Sequence, residues 1–401
     1  GPQSRTMSAS NNPATFLGTT VGRRPYRRFG IHLSDRLFHQ YIIGQTGTGK
    51  STLMLNMMRQ DVVAGQGFCL IDPHGDLAQE VVEIAGNDAV YWDAVDPACP
   101  VGYNPMTYVT ERYRPLVASG LIDTLKKQWA DAWGARMEHL LRHALLALLA
   151  RPRSSLQDII PMFLEAGFRK EVLAEVSDEQ VRRFWTAEFP KMNYKTAADG
   201  VAPIANKLGA FLAHPAVRKA VCDPEQPLRF RALMDQGRTL VVNLAKGRLG
   251  ADVANILGGL IASSLGLAAY SRQSQPIKKR KPYFLYIDEF HSFTTTAFAD
   301  MLSELRKYRL GLVLSHQHTS QLDSGVLDAI LGNVGTLMVF RVGANDSSIL
   351  AKQLASRVPQ PPDLVTLSNY EMYLKLMIDE RQSKAFSVQT KSCSEPEVHH
   401  Q

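Results

Sequence analysis

From Phe38 onward the chain alternates short apolar runs with longer stretches of helical periodicity. The run Phe38–Ile43 reads as a strand. A glycine-rich turn follows it, then a helix from Lys50 to about Ala64 closed by Gly65, then a second strand at Gly67–Ile71. Strand, loop, helix and strand predict a βαβ unit, whose crossover requires a parallel neighbour. From Tyr103 to Asp235 the pattern changes. Met137–Ala150 (MEHLLRHALLALLA) and Val181–Phe189 carry helical periodicity, and little in this stretch reads as strand. Strand runs resume at Thr239–Leu244, Tyr283–Ile287, Gly311–Leu314 and Thr336–Phe340, with helices predicted near Ala251–Arg272, Ala297–Tyr308 and Ser324–Leu331. A last pair of strands is expected near Tyr373–Ile378 and Ala385–Val388.

This alternation predicts an α/β domain, a mostly parallel sheet with helices on both faces, over residues 21–102 and 236–389. An all-helical domain, 103–235, is inserted into it. The polar opening to Thr20 and the polar end from Thr390 are expected to be mobile, and residues 1–6 (GPQSRT) read as the remnant of a cleaved tag before Met7.

Composition sharpens this picture only in places. Hydrophobic residues make up 45% of the 401 and charged residues 21%, as in a globular protein with a real core. Lys and Arg exceed Asp and Glu, 45 to 38, an excess that permits nucleic-acid binding without establishing it. The four cysteines are scattered, which argues against a thiolate zinc site or a disulfide framework and fits a reducing cytoplasm. Val253–Tyr270 carries no charge and nears membrane-spanning length. It lies between two strands of one predicted sheet and contains Asn255, Ser263, Ser264 and several glycines, so it is read as a buried crossover helix, leaving no transmembrane segment.

The candidate chemistry begins at Gly44-Gln45-Thr46-Gly47-Thr48-Gly49-Lys50-Ser51, which matches G-x-x-x-x-G-K-[ST] between a strand and a helix. Glycines let backbone N–H groups wrap a chain of phosphates, and the start of the helix adds its positive end. Lys50 would reach the β- and γ-phosphates of ATP, Ser51 would ligate Mg²⁺, and Thr52 completes the nucleotide-binding stretch. Phe284-Leu285-Tyr286-Ile287-Asp288-Glu289 is an apolar strand delivering two acids at its tip. Asp288 would hold the metal, and Glu289 would orient and deprotonate the attacking water. Gln317, at the tip of the next strand, is either a γ-phosphate sensor or a solvent-facing loop residue. Arg306 and Arg309 are either helix-surface arginines or, for one of them, a finger completing a neighbouring subunit's site.

Other patterns carry less. His139 and His143 lack the glutamate of H-E-x-x-H and read as helix packing. Asp288-Glu289-Phe290-His291 resembles a helicase box with no companion motif, and Trp129 and Trp133 read as core. His316 and His318 flank Gln317, where a metal site is a minor reading. Lys278–Lys281 (KKRK), in a loop just before a strand, reads as a solvated charge run rather than a nucleic-acid patch.

Taken in order, GQTGTGKS, Leu70-Ile71-Asp72-Pro73-His74-Gly75-Asp76, YIDEF, and Arg306-Lys307-Tyr308 leading into LVLSHQHTSQL resemble the FtsK–HerA superfamily of DNA-pumping ATPases. The helical insertion and the QHTSQL segment are most similar to the conjugative coupling proteins of type IV secretion systems, the TraD/TraG type. The resemblance spans about Phe29 to Val388. It implies a RecA-like P-loop core that assembles as a hexameric ring, threads DNA, and receives a relaxase-bound substrate at its helical domain. It also implies Gln317 as the sensor glutamine and Arg306 as the arginine acting in trans. Asp72 and His74 match a family signature without a derivable role. Two departures stand out: coupling proteins usually begin with transmembrane helices, and HerA proteins with a β-barrel, and neither is visible. The rival readings are a type IV secretion ATPase that moves protein or drives pilus assembly, and a HerA-like ATPase acting with a nuclease or another partner. A small-molecule kinase is disfavoured by Glu289.

Overall fold

Eleven strands join in one sheet. In chain order they are β1 (Ala14–Thr20), β2 (Arg28–His32), β3 (Gln40–Ile43), β4 (Phe68–Asp72), β5 (Ala89–Asp93), β6 (Thr239–Asn243), β7 (Tyr283–Asp288), β8 (Leu310–His316), β9 (Thr336–Val339), β10 (Glu371–Lys375) and β11 (Phe386–Gln389). The structure is a computed structural model describing residues 12–21, 26–192, 194–355, 357–378 and 381–390. Residues 1–6 and the chain end after Thr390, which includes the fourth cysteine, Cys393, lie outside the described residues.

The sheet order is β2-β1-β11-β10-β9-β3-β8-β7-β4-β6-β5. From β9 to β6 every neighbouring pair is parallel, whereas β10, β11, β1 and β2 form an antiparallel flank. β3, β4 and β8 are buried at every position, and β7 at all but Asp288, because helices cover both faces of a parallel sheet. That double burial produces the unbroken apolar runs seen in the sequence. The helix Lys50–Ala64 presents Leu53, Met54, Met57 and Met58, all fully buried, to the core. Gly65, at φ +69°, ends it by donating its N–H to Asp61 and Val62 carbonyls.

The opening segment departs from expectation. Rather than being mobile, Ala14–Thr20 forms β1, pairing with β2 and β11. The Gln60 side chain, on the helix after the glycine-rich loop, bonds both backbone groups of Phe16, at 2.7 and 2.9 Å. The helix expected at Ala297–Tyr308 is two, Thr296–Asp300 and Leu302–Lys307, joined at Met301.

The chain divides into two compact units. One holds the described residues up to Tyr91, Arg231–Asn243, and those from Ala269 on; the other holds Trp92–Phe230 and Leu244–Ala268. Most of the apolar helix Ala251–Tyr270 thus groups with the helical unit, which moves the expected boundaries of 103 and 235. It belongs to the one stretch, among the described residues, long and apolar enough to cross a membrane, and 67% of the most apolar window of that stretch is buried inside the protein. Its small residues serve packing. A Cβ on Gly259 would lie 2.7 Å from Thr124 Cγ2, and one on Gly120 2.6 Å from Ser263 Oγ, so the helix Arg114–Gln128 rests against it at close range. In this unit Trp129 is buried, and His143 stacks on Phe184 at 4.0 Å, as helix packing requires.

Candidate functional site

The parallel strands of the first unit all end at one edge of the sheet, and the residues singled out by motif collect there. Neighbouring strands in the order β3, β8, β7, β4 deliver the glycine-rich loop, Gln317, the Asp288–Glu289 pair and Asp72. Their register is level: His316 stands beside Ile43, Ser315 beside Asp288, and Ile287 beside Ile71. In open α/β sheets ligands bind outside the carboxyl ends of such strands.

The loop itself requires its glycines. Gly47 and Gly49 have φ of +79° and +127°, and a Cβ on Gly49 would come within 2.8 Å of the Phe340 ring. Gln45 N–H donates to the Arg341 carbonyl at 2.8 Å, Tyr370 N–H to the Thr48 carbonyl at 2.7 Å, and Thr48 Oγ1 to the Gln45 carbonyl at 2.7 Å. Thr46 and Ser51 are exposed, whereas Thr48 and Lys50 are buried and Thr52 is half-buried. Lys50 Nζ donates to the loop's own Gly44 and Gln45 carbonyls. Burial lowers its ammonium to about 8, against the pull of the Asp288 carboxylate. This ammonium, held by carbonyl oxygens, stands at the start of a fifteen-residue helix, the end of a helix that favours negative charge.

Facing it, the Asp288 carboxyl is pushed up to about 6 by burial and by its neighbours Asp72 and Glu289, with Lys50 and the Glu289 N–H opposing the rise. Such a carboxylate gains most from a cation. Glu289 adopts the left-handed region (φ +50°), with its N–H donating to Asp288 Oδ1 at 2.9 Å. A non-glycine residue held there costs about 1–3 kcal/mol and persists only where its surroundings hold it. The turn after β4 supplies part of that hold. Asp72 Oδ1 and Oδ2 accept the N–H groups of His74 (3.1 Å) and Ala78 (2.8 Å), and His74 Nε2–H donates to Glu289 Oε1 at 2.6 Å.

Gln317 sits half-buried just past β8. Its N–H and that of His318 donate to the Gln321 side chain, at 3.3 and 3.0 Å. Thr319 is anchored to Asp346 through both its N–H and its hydroxyl. His316 is buried and hydrogen-bonded to the Tyr41 hydroxyl, and burial holds its pKa well below the usual imidazole range. Arg306 stands apart from all of these. It is exposed on the helix before β8, with its guanidinium 4.3 Å above the Phe38 ring, beyond the opposite edge of the sheet. The length of β8 separates it from its own chain's loop, about 20 Å for a seven-residue strand.

Residues 30–357 match the family of type IV secretion-system coupling protein DNA-binding domains. The chain belongs to this family. No curated protein matches it. Among solved structures, the coupling-protein domain is similar to the bacterial conjugative coupling protein TrwBdeltaN70 in its unbound form (17% identity, TM-score 0.67, 90% of this chain and 87% of that one). It is similar also to plasmid coupling protein TrwB in complex with ADP and Mg²⁺ (18%, 0.66, 92% and 88%) and to VirB4 of Thermoanaerobacter pseudethanolicus (15%, 0.66, 94% and 96%). At these identities the likeness concerns fold, and the fold is the expected RecA-like α/β core with a helical insertion.

Sequence reasoning missed the wall behind the loop of this coupling-protein domain. Phe340, Arg341 and Tyr370 carry no motif, and only their place after β9 and before β10 brings them there. Asp72 and His74 were flagged as a signature; the geometry gives them partners.

Proposed function

We propose that this domain is an ATP-driven DNA motor of the conjugative coupling type. What carries the reading is a single observation: four adjacent strand tips gather a phosphate-type loop, a half-buried glutamine, an acid pair strained at Glu289, and Asp72 on one sheet edge. The family match, to a coupling-protein DNA-binding domain, supports DNA as the substrate over the protein-moving reading.

In this account Gly44 to Thr52 hold the triphosphate of ATP, and Lys50 exchanges the Gly44 and Gln45 carbonyls for phosphate oxygens. Ser51 and Asp288 are the residues that would hold Mg²⁺, which supplies charge neutralisation on the phosphate oxygens. Glu289 orients a water and takes its proton as the water oxygen bonds to the terminal phosphorus and the bond to ADP breaks. Gln317 senses the terminal phosphate from the adjacent strand. Arg306 acts on a neighbouring subunit, since its own loop is out of reach, so turnover requires a homo-oligomer such as a ring of six. Relaxase or secretion-channel proteins are the partners this role implies, and the cytoplasm, at the membrane's inner face, its location.

The test is ATP turnover measured against protein concentration, with and without single- and double-stranded DNA. The reading expects a more than linear rise with concentration and stimulation by DNA. Turnover indifferent to both forms of DNA would reject it.

A further inference from the structure

The role of the Asp72-Pro73-His74-Gly75-Asp76 turn was left open by the sequence, and its geometry assigns one. We propose that His74 is a positioning residue for Glu289, holding one carboxylate oxygen through Nε2–H so that the other is aimed at the attacking water. This rests on the reading of Glu289 as the residue that receives the water's proton.

The turn is built rigidly for such a task. Asp72, 2% exposed at the end of β4, accepts two backbone N–H groups from the residues that follow it. Gly75 has φ +99°, and a Cβ there would lie 2.7 Å from the Asn243 side chain, so the turn is pressed against the tip of β6. Asn243 Nδ2 in turn donates to the Tyr91 hydroxyl at 3.1 Å. The helix Asp76–Ala85 begins immediately afterwards. His74 is therefore an exposed ring on a pinned backbone, with its Nε2 2.6 Å from Glu289 Oε1. Glu289 itself sits in left-handed backbone, where its side-chain direction is not set by a regular strand. A pinned donor on a strained acceptor fixes the carboxylate before substrate arrives, which is how pre-organisation shortens the path to a near-attack geometry. A misplacement of about 1 Å at such a group costs up to about a hundredfold in rate.

The experiment uses the full chain with His74→Ala and His74→Gln, each alone and combined with Glu289→Gln. Three quantities are read: kcat for ATP, the affinity for a fluorescent ATP analogue, and the His74 ring-nitrogen resonances of the nucleotide-free protein. His74→Ala is expected to lower kcat roughly tenfold or more while analogue affinity stays within about twofold. His74→Gln, which keeps a donor, recovers part of the loss. In the Glu289→Gln background His74→Ala adds nothing, and Glu289→Gln shifts the ring resonances. Unchanged or faster turnover in His74→Ala, or a loss that multiplies with that of Glu289→Gln, would overturn the proposal. If Glu289→Gln alone turns over normally, the functional reading fails instead, whatever His74 does.

Discussion

Asp61→Ala should destabilise the sheet-bearing unit far more than an ordinary helix substitution. Arg36 is 1% exposed, and its guanidinium pairs with both Asp61 oxygens, at 2.8 and 3.0 Å. It also donates to Tyr286 Oη at 2.7 Å and Thr15 Oγ1 at 3.1 Å, and lies 3.8 Å over the Phe284 ring. Burial opposes the charge, but Asp61 and Tyr286 hold the guanidinium above its usual range. Removing the carboxylate leaves a buried cation served by two hydroxyls, and breaking such a pair costs about 3–5 kcal/mol. For a unit of this size that is a fall in Tm on the order of 10 °C. The triple variant Arg36→Met, Asp61→Leu, Tyr286→Phe removes the charges and the Tyr286 hydroxyl, leaving Thr15 Oγ1 as the one former partner of Arg36 still in place, and should return to within about 2 kcal/mol of the parent. Scanning calorimetry of each variant against the parent gives both numbers. The network also joins the two halves of the site, because Asp61 lies on the helix after the loop and Tyr286 two residues before Asp288. An Asp61→Ala cost under about 1 kcal/mol, or a triple variant as weak as the single, would refute this reasoning.

Further outcomes follow from the same geometry. Gly49→Ala should cut ATP-analogue affinity at least tenfold, since φ +127° and the Phe340 ring both exclude a Cβ; calorimetric titration checks it. Arg306→Ala should leave analogue binding intact and abolish the concentration-dependent rise in turnover, which mixing with an intact-Arg306, Lys50→Ala partner should partly restore. His39 is fully buried, accepting Leu312 N–H at Nδ1 (3.0 Å) and donating to the Leu302 carbonyl (2.5 Å). Burial lowers its pKa from 6.5 to about 4, so the unfolded chain binds the extra proton first. Stability conferred by the neutral ring is complete above about pH 6.5 and falls towards pH 4, by roughly 3 kcal/mol in all. Urea denaturation of His39→Asn should show that slope flattened.

How far the sequence could be read follows from what each element asks of it. β3, β4, β7 and β8 are buried on both faces, so each is a largely apolar run ending in a motif, and the sequence located all four while leaving their order in the sheet to the structure. β1 (ATFLGTT) is interrupted by a register shift between Phe16 and Gly18 and is held by Gln60, a tertiary contact that no local pattern announces. β5 is half-buried and too polar at Asp93 to stand out. The glycine-rich loop and the acid pair were legible because their chemistry is local. His74 and Glu289 stand 215 positions apart, and only the pairing of β4 with β7 brings them together. Arg306 was read as a finger or a surface residue, and its place beyond the far edge of the sheet excludes service to its own loop while leaving the neighbour's site to be tested.

The central claim is that backbone around Lys50 cradles ATP while Glu289 readies water against it. Single-turnover hydrolysis with saturating protein and Mg²⁺ tests it most directly, comparing Glu289→Gln and Lys50→Ala with the parent on DNA. The account predicts that Glu289→Gln retains ATP uncleaved with near-parental affinity, slower by at least about a hundredfold, while Lys50→Ala neither holds nor cleaves it. Parental hydrolysis by Glu289→Gln would contradict it.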